Sequence, residues 1–464
     1  MFKPNIGLLG LTLELYDSSL PELRSGREVF ARRLIKMMEN DINFCFPGAC
    51  NTRESVEKAV ARFESEGCDA ILVIFLTYAP SLIALPALFR TKLPVIIWNT
   101  QEATGILADS GPGLMMENHG VHGVQDLTSA LRRSGRNFRV ITGHWRDAKA
   151  IHRLIMLFRA ARAVSVLRKS RIALLGYPMQ DMGDFCVDET AFLAKIGPAV
   201  IHISIDELAN LVEKAPEGDL GELMAEDRKH FDWDDMITSA EHEGAARLEW
   251  AIRRLISDYH LNAWAQHFMA LAGSNRISIL PFLAASKLMA EGVGYGAEGD
   301  VTVAAGCILM RELAKESTFV EMFTMDFEEQ ALFMRHMGEL NIAMARRDVP
   351  VKVIRKPFHL VKMQPIPTPV FALRPGEATI CSLTTGPKGS FRLVVAEGEV
   401  LDIPCYLNIG APNFKWRPNC KLEEFLDRFA EVGGSHHQAL GYGRLGEAIE
   451  AVAGFLGIEA FHIG

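Results

Sequence analysis

The sequence predicts an α/β fold: two consecutive domains built on parallel sheets, then a β-rich, barrel-like domain at the C-terminus. Three observations predict it. Apolar runs of strand length alternate with helical periodicities over the first third of the chain. That alternation restarts at Arg171. The last third breaks into short β-branched runs punctuated by Pro and Gly. The length agrees, because 464 residues at roughly 100–200 per domain make two to four domains.

In chain order, "NIGLLGL" (5–11) is a strand and "REVFARRLIKMME" (27–39) has helical spacing. "ESVEKAVARFESEG" (54–67) is a second helix, stopped by Gly67. "DAILVIF" (69–75), "LPVIIWN" (93–99) and "NFRVITGHW" (137–145) are further strands, and a helix follows to about residue 168. Continuous apolar strands separated by helices imply a parallel sheet covered on both faces, with ligands at the strands' carboxyl ends. The second alternation runs through "RIALLGYP" (171–178), "PAVIHISIDEL" (198–208), a helix over 237–258, "HLNAWAQHFMAL" (260–271) and "SILPFLAASKLMAEG" (278–292). A glycine-rich loop then enters a helix within "GYGAEGDVTVAAGCILMREL". "PVKVIRKPFHL", "TPVFALRPG", "EATICSLTT" and "SFRLVVAEGEVLDIP" read as an antiparallel sheet or barrel, closed by a helix at 444–457. The expected domains are 1–169, 170–318 and 319–464, the first two Rossmann-like or flavodoxin-like.

Composition narrows the function. Hydrophobic residues are 49% and charged residues 23%, a soluble globular profile. A net charge of −8 argues against nucleic-acid and anionic-membrane partners, which need clustered Lys and Arg. No run of about 18 apolar residues suggests a membrane span. The N-terminal stretch lacks the pattern of a signal peptide. Eight scattered cysteines without a C-x-x-C read as reduced thiols in a cytoplasmic protein.

Four residues could carry chemistry together. Glu298 sits in "GYGAEGD", where glycines let the backbone approach a ligand and Asp300 can cap the next helix. The alternative is an exposed acid in a capped loop. Glu321 lies among apolar residues in "STFVEMFTMDF" and would need a partner if buried; otherwise it faces solvent. His336 in "FMRHMGELN" is a metal ligand or a satisfied core histidine. The pair His436 and His437 follows two glycines in "EVGGSHHQAL". Two acids and two histidines suit Mn²⁺ or another divalent first-row ion, although spacings of 298, 321, 336 and 437 form no compact motif.

These segments are similar, in order, to those of the L-arabinose isomerase family, related to the L-fucose isomerases. "ITGHWRDAKA" (141–150) resembles its Thr-Gly-His-Trp segment, and "LPFLAASKLMAEGVGYGAEGD" (280–300) the segment of its first metal-binding glutamate. "TFVEMFTMDF" (318–327) resembles that of the second. "RHMGEL" (335–340) and "GGSHHQAL" (433–440) resemble those of its two metal-binding histidines. The resemblance implies two α/β domains and a β-rich domain in a homo-oligomer, a hexamer or tetramer, with sites at subunit interfaces. It implies Mn²⁺, or Co²⁺ or Mg²⁺, held by Glu298, Glu321, His336 and His437, with His436 lining the substrate pocket. It implies aldose–ketose isomerisation of a monosaccharide through an enediolate, with Glu298 and Glu321 as acid/base groups. Which glutamate takes the proton stays open.

The sugar-reading shell departs from the family. Its Gln-His pair corresponds to Leu13 and Glu14 in "LTLELYD" (11–17), where Tyr16 remains. Its Trp-Met-His-Thr-Phe-Ser-Pro segment becomes "FLTYAP" (75–80), without the histidine, while "NTQEATG" (99–105) keeps a Thr-Gln pair. Glu14, Tyr16, Gln101 and His144 are the expected substrate contacts beside His436, and a sugar other than L-arabinose is credible. His144 is alternatively a structural histidine capping the next helix. "NHGVHG" (118–123) reads as a loop, and the "LRRSGR" and "RRL" runs as solvated helix faces. Two other functions stay open: a non-catalytic sugar-binding or regulatory relative, and a metal enzyme acting on another open-chain sugar derivative. The acid pair argues against the first; the altered shell keeps the second.

Overall fold

The computed structural model describes residues 3–464, which divide into two units, one ending at Ser165 and the other running Val166–Gly464.

The first unit contains β1 (Asn5–Leu11), α1 (Pro21–Met38), β2 (Asn43–Cys45), α2 (Arg53–Ser65), β3 (Ala70–Phe75), β4 (Val95–Asn99), α3 (Gly120–Arg133) and β5 (Arg139–Thr142). The strands form a parallel sheet in the order β2-β1-β3-β4-β5. Every residue of β3 is buried, which is why its sequence is an unbroken apolar run: helices cover both faces of a parallel sheet. Of the loop expected at 118–123, Asn118 and His119 form a turn, while residues 120–123 are the first turn of α3. Its glycines let the helix lie directly on β3, since a Cβ on Gly120 would come 2.7 Å from the Phe75 carbonyl oxygen. Helix α4 (Ala148–Lys169) spans the division between the units.

The second unit begins with β6 (Arg171–Leu175), β7 (Ala199–Ile203), α5 (Ser239–Asp258), β8 (Ala263–Gln266), α6 (Phe282–Ala290), β9 (Gly294–Gly296) and α7 (Val301–Ala314). Its parallel sheet has the order β9-β8-β6-β7. The glycine-rich segment expected as loop supplies β9, a short strand on the edge of this sheet. Of the basic run at 253–255, Arg253 pairs with Glu249 and Glu291 rather than facing solvent alone.

Two of the segments expected in the barrel, at Lys352–Lys356 and Ile366–Val370, lie outside it: they pair antiparallel with each other, and the first also pairs in parallel with Asp232–Trp233, as a separate three-stranded sheet. Strands β10 (Thr318–Asp326), β11 (Ala331–Arg335), β12 (Gly376–Thr385), β13 (Phe391–Val400), β14 (Asn413–Pro418), β15 (His437–Tyr442) and β16 (Glu459–Ile463) form the remaining sheet. They run β12-β15-β10-β11-β14-β13-β16, and β12 also pairs with β13, closing a six-stranded barrel. The ring is antiparallel; β16 joins β13 in parallel from outside. Helix α7 is buried along almost its whole length and packs against both β9 and β15, between parallel sheet and barrel. Among the described residues no helix is long and apolar enough to cross a membrane.

Candidate active site

The site is built where the carboxyl end of β9 meets the barrel. The β9–α7 turn carries Glu298 at φ 57°, a left-handed conformation uncommon for a residue with a side chain. Its flanking glycines leave no room for alternatives. A Cβ on Gly296 would lie 2.0 Å from the Asp300 carbonyl oxygen, and Gly299 has φ +81°. The turn is pinned by backbone bonds from Met179 N to the Glu298 carbonyl (2.8 Å) and from Gly299 N to the Gln266 carbonyl (2.9 Å). Asp300 caps α7, as its sequence position suggests, accepting from Thr302 N and Val303 N through Oδ1.

The barrel register brings the remaining groups together. Glu321 on β10 lies directly opposite His437 on β15 and Arg335 on β11, and His336 is the next residue. Glu298 Oε2 is 3.6 Å from His437 Nε2 and 3.9 Å from His436 Nε2; Glu321 Oε2 is 3.9 Å from His336 Nε2. These separations exceed hydrogen bonds, and the buried Nε2 atoms of His436 and His437 have no partner. The His336 and His437 ring centroids are 5.9 Å apart, and Phe319 packs edge-on against both.

Each imidazole is held from behind by a carboxylate. His437 Nδ1 is 3.0 Å from Asp300 Oδ2, His336 Nδ1 3.0 Å from Glu339 Oε1, and His436 Nδ1 2.7 Å from Asp184 Oδ2. An Nδ1–H donated to a carboxylate leaves Nε2 as a bare lone pair, the arrangement of a metal-binding histidine. Asp184 also accepts from Ser435 Oγ and His436 N. Phe185 beside it stacks on His437 with an interplanar angle of 10°.

The charges favour a cation in the cluster. Burial works against ionisation of Glu298, but His436, His336 and His437 outweigh it and hold the carboxyl below its usual range. Burial opposes protonation of His336, yet Glu339, Glu321 and Glu298 raise it. His436 is pushed up to about 10 against burial, chiefly by Asp184 and Glu298. A lowered carboxyl among raised imidazoles draws positive charge into the cluster, carried by protons on the imidazoles or, when a divalent ion displaces them, by the metal. The tightest set is Glu298, His436 and His437, with one ligand atom from each lying within 4.8 Å of the others. Glu321 and His336 lie outside that set and face each other.

Of the expected substrate contacts, His436 is in this cluster and the others belong to the first unit. Tyr16 and Gln101 line a cavity of about 400 Å³ there with Met115, Asn118 and His119. Glu14 is exposed at the start of the helix Leu15–Ser19. Both ring nitrogens of His144 meet local backbone, Nε2 the Glu102 carbonyl and Nδ1 the Arg146 N–H. Asp184 and Glu339 were missed by sequence reasoning. Glu339 had a signal, an acid three residues after a histidine that burial obliges to find a partner. Asp184, 252 residues from His436, had none.

The chain is similar to known proteins over most of its length. Residues 171–316 match the family model of the L-arabinose isomerase central domain, and residues 316–459 that of the L-arabinose isomerase C-terminal domain. L-arabinose isomerase 1 of Bacillus licheniformis is 28% identical over 85% of this chain and 80% of its own. L-arabinose isomerase of Geobacillus kaustophilus is 26% identical over 90% of this chain and 85% of its own. A solved periplasmic solute binding protein from Actinobacillus succinogenes with bound D-allose is 15% identical over 60% of this chain and 84% of its own. Its TM-score of 0.18 carries no weight. The fold, the cluster and these relatives define an enzyme of the aldose–ketose isomerase class, an intramolecular oxidoreductase. The two family models together span 171–459, more than half of the sequence, and the chain belongs to the L-arabinose isomerase family.

Proposed function

We propose that the enzyme is a divalent-metal-dependent isomerase that moves a proton between C2 and C1 of an open-chain aldose through an enediolate. The observation that carries this reading is the facing of Glu298 and Glu321 towards the Nε2 edges of His437 and His336, each imidazole turned by a carboxylate behind it. Glu298, Glu321, His336 and His437 are the proposed ligands. Two carboxylates and two imidazoles suit Mn²⁺, with Co²⁺ or Mg²⁺ as substitutes. When bound, the ion supplies positive charge to the substrate oxygens on which negative charge develops.

The chain's own groups do the rest. Glu298, held ionised, accepts or returns a proton at the substrate carbon, and Glu321 serves the opposite transfer. His436, tethered by Asp184, offers its Nε2 to a sugar hydroxyl. Phe185 and Phe319 keep water from the imidazoles. Tyr16, Glu14, Gln101 and His144 are proposed to read the sugar from a neighbouring subunit of a homo-oligomer. Leu13 and Glu14, where family members have glutamine and histidine, favour an aldose other than L-arabinose. A division of the second unit into 170–318 and 319–464 belongs to the same reading; it is supported by family models that meet at residue 316. A cytoplasmic location is supported by eight cysteines that are all free.

The test uses Glu298→Gln and Glu321→Gln in the full chain. Each is expected to lower isomerisation of the preferred sugar at least 1,000-fold while sugar binding persists. Wild-type turnover in either variant would remove that glutamate from the mechanism.

A further inference from the structure

A buried chain of hydrogen bonds links the parallel sheet to the barrel. Gln266 Nε2 at the end of β8 donates to the Tyr295 hydroxyl on β9 (2.9 Å). That hydroxyl donates to Glu339 Oε1 (2.7 Å), and the same oxygen faces His336 Nδ1 (3.0 Å). Tyr295 and Glu339 are fully buried and Gln266 nearly so. Because Gln266 donates to the phenol oxygen, the phenol proton is directed at Glu339. Glu339 Oε2 is occupied by Gly338 N at 2.8 Å. Only Oε1 faces the imidazole, and its direction is set by Tyr295.

We infer that Tyr295 is a positioning residue for His336, acting through Glu339. The consequence is economy of construction. The six-residue segment 295–300 supplies the ligand Glu298, turns His437 directly through Asp300, and turns His336 at one remove through Tyr295. Both imidazoles of the proposed metal centre are then aimed from the same short segment that carries the carboxylate they share it with. A phenylalanine at 295 would keep the edge-on ring packing against Trp264 and Phe319 while removing the directing proton. Burial and the nearby Glu339 raise the phenol well above its ordinary range, so it remains a donor. The inference rests on the metal reading above.

The experiment titrates full-length, EDTA-stripped protein with Mn²⁺ alone, by calorimetry and by electron paramagnetic resonance. Wild type is measured first: folded protein that takes up no Mn²⁺ overturns the metal reading itself, and this inference with it. Given uptake, Tyr295→Phe is expected to bind Mn²⁺ up to about tenfold more weakly, the low end of the effect of losing an outer partner of a ligating histidine, because Tyr295 reaches His336 only through Glu339. Glu339→Gln is expected to lose at least as much, and Tyr295→Phe/Glu339→Gln no more than Glu339→Gln alone, because both act along one path. Additive losses, or wild-type affinity in Tyr295→Phe, overturn the inference while leaving the metal site intact. Should Tyr295→Phe fail to fold, Gln266→Met loosens the same phenol and is expected to cost a few-fold in Mn²⁺ affinity; unchanged affinity there also overturns the inference.

Discussion

Asp300→Asn separates the two tasks of one carboxylate. Oδ1 of Asp300 caps α7, accepting from Thr302 N at 2.8 Å and Val303 N at 2.9 Å, while Oδ2 lies 3.0 Å from His437 Nδ1. Asparagine keeps the capping oxygen and turns an amide N–H₂ towards His437. Two donors then face each other, and the imidazole is relieved by moving its proton to Nε2, the atom 3.6 Å from Glu298. That proton sits on the proposed ligand atom. Loss of an outer partner of this kind costs about 10–100-fold in metal affinity, or roughly 1.4–2.7 kcal/mol. Unfolding stability should change by less than about 1 kcal/mol because the cap survives. Asp300→Ala loses the cap at about 1 kcal/mol and strands a buried N–H at about 1–3 kcal/mol, so it should destabilise by about 2–4 kcal/mol. Urea unfolding of the metal-stripped proteins and Mn²⁺ calorimetry read the two effects separately. Wild-type Mn²⁺ affinity in Asp300→Asn, or an equal loss of stability in both variants, would refute the reasoning.

Three further outcomes are expected. His437→Asn should lose Mn²⁺ binding by more than about 100-fold, whereas His436→Asn should stay within tenfold and raise KM for the sugar; calorimetry showing equal losses would make His436 a ligand, as its place beside Glu298 and His437 allows. Half-buried Lys287 bridges the buried carboxylates of Asp227 (2.6 Å) and Glu249 (2.8 Å). Against burial, His242 and Lys287 hold Asp227 low, and Glu249 and Asp227 hold Lys287 high. Stability from Asp227 is thus present above its unfolded pKa and lost as pH falls through the depressed folded value. Stability from Lys287 is present below its unfolded pKa and lost as pH rises through the raised one. Lys287→Met should cost about 3 kcal/mol near neutrality and flatten both limbs of a urea-midpoint-against-pH curve, an unchanged curve counting against the bridge. Gly296→Ala, whose Cβ would strike the Asp300 carbonyl oxygen, should destabilise by about 2 kcal/mol and weaken Mn²⁺ binding; thermal unfolding together with calorimetry checks both.

What could be read from the sequence follows from where the physics is local. "AILVIF" at 70–75 is buried on both faces, so its pattern alone marks a parallel strand. Asp300 reads as a cap because capping needs only the next three residues. Gly294–Gly296 was hidden because glycine carries no strand preference, yet there a side chain has no room: a Cβ on Gly294 would come 2.7 Å from the Ala304 carbonyl oxygen. Gly120 and Gly123 looked like loop punctuation but serve close packing of α3 on β3. In the candidate site, the glutamates and histidines were proposed from the order of their segments, and the fold brings them near one another. Their orienting carboxylates were not, since the Asp184–His436 and Asp300–His437 pairs are closed only by the fold. Nor could sequence show that barrel register sets Glu321 opposite His437.

The most direct test of the central claim is exchange of the C2 proton of aldoses in D₂O, followed by NMR. EDTA-stripped enzyme is offered a panel of pentoses, hexoses and 6-deoxyhexoses with and without Mn²⁺. The account predicts that at least one aldose exchanges its C2 proton and forms the 2-ketose only when Mn²⁺ is present, and that Glu298→Gln abolishes both. Tight Mn²⁺ binding with no exchange on any aldose would contradict the isomerase reading and point to another open-chain sugar derivative, and exchange that is indifferent to Mn²⁺ would contradict the metal centre.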